Sequence, residues 1–261
     1  MAGMDRTIGV LKLFTIDRPG WTVEEAAAAL EVSVSSAYRY FAALLEAGLL
    51  ATDASGHYIL GPAIIQYDRQ IQLTDPLLRA AKPVMTDLMR FAPVDSTLLL
   101  CRIFRETVLC VHQVTEKDRQ TRVSYERGRP MPLFKGATSK IILAHLGSRD
   151  LRRLYEANRA QIGAAKLGDE WDAFRKTMAK IRKIGHVVAR AEIDPGHIGI
   201  AVPILDSHNR ILGSLSYVVP TSEERAVPRL ASLAATGARE IEESMRADLD
   251  APEHTVRGEA A

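Results

Sequence analysis

Between Thr22 and Gly48 the chain carries the start and stop signals of two short helices with almost no chain between them, and this spacing limits the possible folds more than any other feature. Thr22-Val23-Glu24-Glu25 has capping-box spacing, in which the threonine hydroxyl and the Glu25 carboxylate each satisfy the other residue's backbone N–H. An alanine run to Leu30 follows. After Glu31-Val32, Ser33 caps a helix from Val34 to Ala47 with Ala37, Phe41, Leu44 and Leu45 as its buried stripe, and Gly48 stops it. The opposite face carries Ser35, Ser36, Tyr38, Arg39 and Tyr40. Upstream, the spacing of Ile8, Val10, Leu11, Leu13 and Phe14 predicts another helix, ended by the turn signal Asp17-Arg18-Pro19-Gly20.

Two short helices joined by a tight turn, the second with hydroxyls, a tyrosine and an arginine exposed, match helix-turn-helix geometry, in which the second helix enters the major groove. Hydroxyls can contact phosphates or base edges, and arginine can pair with guanine through two hydrogen bonds. Leu49-Leu50-Ala51 and His57 to Leu60 flank a turn-forming stretch and predict a two-stranded wing. The charge is unusual for such a module. Residues 1–70 hold five basic side chains (Arg6, Lys12, Arg18, Arg39, Arg69) against eight acidic ones, although the whole chain is at +2.

The rest of the chain reads as a second, α+β domain. Gly61-Pro62 opens a helix that Asp75-Pro76 interrupts. A long amphipathic helix through Leu77, Leu78, Ala81, Met85, Leu88 and Met89 follows. Strands are expected at Thr97 to Phe104, Thr107 to Val114, Gln120 to Tyr125, His186 to Glu192, Gly199 to Leu205 and Ile211 to Val219. A turn at Arg105-Glu106 would set Cys101 opposite Cys110, with His112 on the same face. Two buried, reduced thiols are the expectation there, and without a CxxC pair no zinc site is expected. The basic run from Arg175 to Lys183 reads as a solvated helix face, and Leu230, Leu233, Ala234, Gly237, Ile241 and Met245 as a stripe packed on the sheet. With 47% hydrophobic and 25% charged residues the chain can bury an ordinary core, and no apolar run reaches the roughly 20 residues a bilayer needs. The expectation is a cytoplasmic protein with no membrane partner.

Thr7 to Leu11, Thr22 to Ala27, Ser35 to Phe41 and Gly56 to Gly61 resemble the N-terminal module of the IclR family of bacterial transcription regulators. Glu31 stands where the family usually has glycine, and Val34 where a polar or basic residue is common. Three later segments resemble the family's GAF-like effector-binding domain: Gly128 to Lys140, Glu192 to Ile204 and Asp206 to Ser216. Together the resemblance spans about residues 5 to 246. It implies an α+β chain with a winged helix-turn-helix at 1–61, a linker helix at 62–76, an effector-binding domain at 77–248 and a flexible tail at 249–261.

The resemblance implies DNA contacts from Thr22, Ser33, Ser35, Ser36, Tyr38, Arg39, Tyr40 and His57 on a pseudo-palindromic double-stranded operator. It implies a small organic acid, an aromatic acid among the fitting forms, held by the Ala137 and Thr138 amides at a helix start. Glu192 and Ser216 match the family's polar pocket positions, and Met131, Leu133 and Ile200 would supply apolar walls. A homodimer or tetramer would compensate for the weak positive charge of each module. No cofactor, metal or catalytic residue is expected, because His186, Glu192, Asp194, His197 and Asp206 fit no HExxH or GxSxG pattern, and His197 reads as solvent-facing. A second reading, favoured by the acidic balance, is a small-molecule sensor that acts through protein partners without binding DNA.

Overall fold

The fold is that of a computed structural model, and the described residues are 2–115 and 124–250. The chain divides into two compact units between Asp75 and Pro76.

In the first unit, helices α1 (Ala2–Leu11), α2 (Val23–Ala29) and α3 (Val34–Glu46) precede strands β1 (Leu50–Thr52) and β2 (Tyr58–Leu60) and helix α4 (Ala63–Thr74). The capping box forms: Glu25 N–H donates to Thr22 Oγ1 at 3.2 Å, and Thr22 N–H to Glu25 Oε2 at 3.1 Å. Ala37, Phe41 and Leu44 of α3 bury against Val10, Trp21, Val23, Ala26 and Ala27, and each large apolar side chain buried there contributes about 1.5–3 kcal/mol. Leu45 remains 42% exposed, because it lies one residue past the buried stripe. Tyr40 turns partly onto the core rather than to the outer face. The first helix ends at Leu11, earlier than its apolar pattern suggests. Beyond it Trp21 takes the Leu13 carbonyl through its indole N–H at 3.0 Å, and Leu13 and Phe14 pack on the core from a turn. Trp21 also bridges to Tyr58 of the wing, whose ring meets Phe41 edge-on at 4.8 Å.

In the second unit, α5 (Pro76–Met89) leads into β3 (Thr97–Phe104), β4 (Thr107–Thr115) and the short β5 (Pro130–Pro132). Helices α6 (Ala137–Ala144), α7 (Ser148–Ala157), α8 (Arg159–Ala164) and α9 (Trp171–Ile184) follow, then β6 (Val187–Arg190), β7 (His197–Leu205), β8 (Ile211–Pro220), a 3₁₀ turn (Thr221–Ala226) and α10 (Val227–Asp250). The strands form one antiparallel sheet in the order β5-β4-β3-β8-β7-β6. One face packs on α6, α7, α8 and α9 through Leu99, Cys101, Cys110, Ala189, Ala201 and Val218. The other packs on α5 and α10 through Leu98, Leu100, Ile198, Ile200, Val202, Leu215 and Tyr217. With both faces covered, β7 and β8 are mostly apolar and buried along most of their length rather than on alternate residues. Gly237 lets α10 approach α5 closely, since a Cβ there would lie 2.5 Å from Leu88 Cδ1.

Cys101 pairs with Cys110, and both thiols are free and fully buried; burial and the mutual contact push the Cys101 thiol up. One pair on, the register slips, so that Leu100 faces His112 and Val111 is the extra residue. The bulge turns His112 to the α5 side, beside Lys82 and away from the cysteines, contrary to the regular pleat. Most of the strand expected from Gln120 to Tyr125 lies outside the described residues, and Ser124 and Tyr125 are not in a strand. At the C-terminus α10 continues to Asp250, and the remainder of the expected tail lies outside the described residues.

Candidate functional site

The outer side of α3 gathers most of the residues expected at a nucleic-acid face. Ser33 caps the helix, accepting from Ser36 N–H at 3.3 Å and donating to Ser36 Oγ at 2.9 Å. Ser35 Oγ lies 3.3 Å from Ser33, and Arg39 Nη2 reaches Ser36 Oγ at 3.4 Å, so three hydroxyls and one guanidinium form a single exposed cluster. Tyr38 is 51% exposed but donates to Glu24 Oε1 at 2.9 Å, a bond that ties α2 to α3 and raises the phenol above its ordinary value. The Thr22 hydroxyl serves the cap of α2. His57 sits in the wing with Nδ1 2.7 Å from Ser55 Oγ, while Asp53 accepts from the N–H groups of Ser55 and His57. Arg18 is structural: its guanidinium lies 3.3 Å from the Trp21 ring centroid and pairs with Glu25 at 2.9 Å.

In the second unit a narrow cleft with about 30 Å³ of free space opens between the start of α6 and the β6–β7 edge of the sheet. Gly136 precedes α6 at φ 80°, where a Cβ would meet the Tyr125 hydroxyl at 2.9 Å and Ile193 Cγ1 at 3.0 Å. The N–H groups of Ala137 and Thr138 at the first turn have no acceptor among the described residues, as expected where no intrahelical partner exists. Beside the helix start the Tyr125 hydroxyl is buried with no hydrogen-bond partner among the described residues; burial pushes its phenol well up, with the nearby Ser139 and Thr138 hydroxyls pulling back. His197 is 8% exposed and lines the cleft instead of facing solvent. Its Nδ1 lies 3.2 Å from the Pro195 carbonyl, which can only accept, so Nδ1 carries a proton and, in the neutral ring, Nε2 is an acceptor. A space with amide donors at one end, a phenol in its wall and a ring-nitrogen acceptor suits an anion with a second polar group.

The cleft brings together Ala137, Thr138 and Glu192, and leaves the other expected pocket residues out of its lining. Glu192 is already engaged, accepting from Gly136 N–H at 3.0 Å and lying 2.6 Å from Lys140 Nζ, so it does not wait for a ligand donor. Ser216 is fully buried behind Thr138, whose hydroxyl donates to it at 3.0 Å. Met131 and Leu133 belong to the core beneath α6. Ile200 faces α5 and α10, because its neighbour Gly199 faces the cleft and successive strand residues alternate. Tyr125, Asp194 and His197 line the cleft without having been expected there. Asp194 accepts from the N–H and hydroxyl of Ser124. Among the described residues no three His, Cys, Asp or Glu side chains gather as a metal site requires, and no helix is long and apolar enough to cross a membrane.

The family profile described as Bacterial transcriptional regulator IclR C-terminal matches residues 72–243, and the one described as IclR helix-turn-helix domain matches residues 3–54. The chain is similar to the HTH-type transcriptional regulator KipR of Bacillus subtilis, with 24% identity over 81% of this chain and 83% of that one. It is also similar to the p-hydroxybenzoate hydroxylase transcriptional activator of Acinetobacter baylyi, with 21% identity over 85% and 82%. Its fold matches the crystal structure of an IclR homolog complexed with 4-hydroxybenzoate from Microbacterium hydrocarbonoxydans, with a TM-score of 0.75, 21% identity and coverage of 94% of this chain and 99% of that one.

Proposed function

The chain belongs to the IclR family of bacterial transcription regulators, with a helix-turn-helix domain and an effector-binding domain, and from this we propose that it binds a pseudo-palindromic operator under the control of a small aromatic acid. The observation that carries the ligand reading is the cleft, where the amides of Ala137 and Thr138 and the Tyr125 hydroxyl, without partners among the described residues, and an acceptor on His197 line one space. Similarity to a structure complexed with 4-hydroxybenzoate and to an activator of p-hydroxybenzoate hydroxylase supports that class. A carboxylate would take the α6 amides, and a ring hydroxyl would donate to His197 Nε2.

DNA contact would fall to Ser33, Ser35, Ser36 and Arg39, with Tyr38 and the wing's His57 beside them. The protein acts as a homodimer or tetramer in this reading, because one module offers few cations and two joined modules raise each other's effective concentration. On α4, Ile64, Tyr67 and Ile71 recur on one side and are 36%, 49% and 53% exposed, an apolar strip suited to a second copy. By linkage, the acid must bind the DNA-competent and DNA-incompetent arrangements unequally to regulate.

Selection of random DNA fragments by the purified protein, with and without 4-hydroxybenzoate, tests the whole reading, and light scattering gives the assembly. Enrichment of one palindrome whose occupancy changes with the acid is the expected result. Absence of enrichment, with the acid still bound, would favour a sensor that acts on protein partners.

A further inference from the structure

The donors that suit an anion at the start of α6 are in part already held by a carboxylate of the chain itself. Glu192 Oε2 accepts from Gly136 N–H at 3.0 Å, and both Glu192 oxygens lie 2.6 Å from Lys140 Nζ. The Lys140 side chain is 14% exposed and that of Glu192 32%, so the pair sits at the rim of the cleft with water within reach. Beside it Tyr125 is 4% exposed and its buried hydroxyl has no partner among the described residues, an independent sign that a polar group belongs in this space. The second carboxylate of the cleft, Asp194, is fixed by the N–H and hydroxyl of Ser124 and is not poised to leave.

Glu192 also borders a second groove, which runs past Phe134 and Ala165 and is lined by Lys135, Lys140 and Lys166. Lys135 and Lys166 are exposed and make no ion pair among the described residues. A carboxylate that swung away from Gly136 would therefore meet two cations on the far side. A ligand carboxylate and Glu192 cannot share Gly136 N–H and Lys140 at contact distance, since like charges that close repel and each would lose its donors.

We propose that Glu192 is a tethered competitor for the effector's carboxylate: it occupies Gly136 N–H and Lys140 in the ligand-free protein, and an acid displaces it toward Lys135 and Lys166. The inference rests on the acidic effector argued above and adds how that acid is sensed. The free protein then offers an acid the Ala137 and Thr138 amides but not Gly136 N–H or Lys140, acids bind more weakly than the full set of donors would allow, and ligand entry becomes a movement of Glu192 toward the end of α8.

Calorimetry on the full chain tests it, with benzoate and 4-hydroxybenzoate as probes and 4-hydroxybenzamide as the uncharged control. Glu192→Gln keeps the side chain's shape and removes its charge. Its binding of both acids should tighten by about tenfold, with amide affinity unchanged. Should the glutamine variant fail to fold by thermal melting, Glu192→Asp, one methylene short of Gly136, carries the same expected direction. Changing Lys135 and Lys166 together to glutamine should weaken acid binding several-fold in the wild-type background and leave it unaltered alongside Glu192→Gln. Acids that bind the wild type and bind the folded Glu192 variants no more tightly would overturn the competitor and leave the acidic-effector reading standing. Equal loss from the lysine changes in both backgrounds would overturn the displacement. Failure of the wild type and the variants alike to bind any of the acids would overturn both.

Discussion

The Thr138 hydroxyl donates to Ser216 Oγ at 3.0 Å, which fastens the first turn of α6 to β8, a central strand of the sheet. Both residues are buried, so neither hydroxyl can turn to bulk water. Ser216→Ala should cost about 1–3 kcal/mol of unfolding free energy by chemical denaturation, because it leaves the Thr138 hydroxyl buried and unpaired. Since Ser216 stands behind the cleft wall, affinity for an acid should fall less than stability does. A variant as stable as the wild type would mean that Thr138 has another acceptor within reach.

His197 should decide between aromatic acids that differ by one hydroxyl. With Nδ1 donating to the Pro195 carbonyl, Nε2 of the neutral ring is left as an acceptor. His197→Leu should weaken 4-hydroxybenzoate by about 1 kcal/mol in calorimetry and leave benzoate nearly unchanged, since the lost partner is one neutral hydrogen bond. Equal effects on the two acids would take His197 out of the ligand's reach.

Arg39 is the one cation in the exposed hydroxyl cluster of α3, where it bonds Ser36. Arg39→Ala should weaken operator binding by about 1–3 kcal/mol in a gel-shift or anisotropy titration, with the circular dichroism spectrum unchanged. Unchanged operator affinity would exclude Arg39 from base contact.

Stability should fall on mild acidification because of two histidines. Burial holds His112 below its ordinary value near 6.5, and Lys82 and Arg127 push the same way. Burial also lowers His145, with its bond to the Ile141 carbonyl pulling back and Arg182 adding to the depression. The unfolded chain then binds protons more readily than the folded one, so the stability present above about pH 6.5 is lost as pH falls toward the folded values. Urea denaturation at a series of pH values should show the decline setting in as pH falls below about 6.5. His145→Gln should make it shallower, and an unaltered slope would show that His145 titrates alike in both states.

The parts of the molecule legible in the sequence are those set by neighbours in the chain. The capping box of Thr22 and Glu25, the Ser33 cap and the Gly48 stop at φ 67° are all closed within a few residues, and they appear where local chemistry puts them. The two cysteines face each other for the same reason, since a two-residue turn sets their register. His112 escapes that logic because one extra residue, Val111, shifts the pleat, and only the packing of α5 against the sheet reveals it. Period-two alternation could have found His197: it shares a face with Gly199, and the same rule places Ile200 on the other. The engagement of Glu192 left no such trace. Its partner Lys140 is 52 residues away, and nothing in either segment signals the other.

Arg18, stacked on Trp21 and paired with Glu25, removes one of only five cations in residues 1–70 from the surface that would meet a duplex. A module with so little free positive charge releases few of the counterions condensed on DNA. The logarithm of affinity falls with that of salt at roughly −0.9 per phosphate neutralised. The operator complex of this protein should therefore survive ionic strengths that dissociate a regulator built on basic arms, with its hold on DNA resting on hydroxyl contacts and on the pairing of modules.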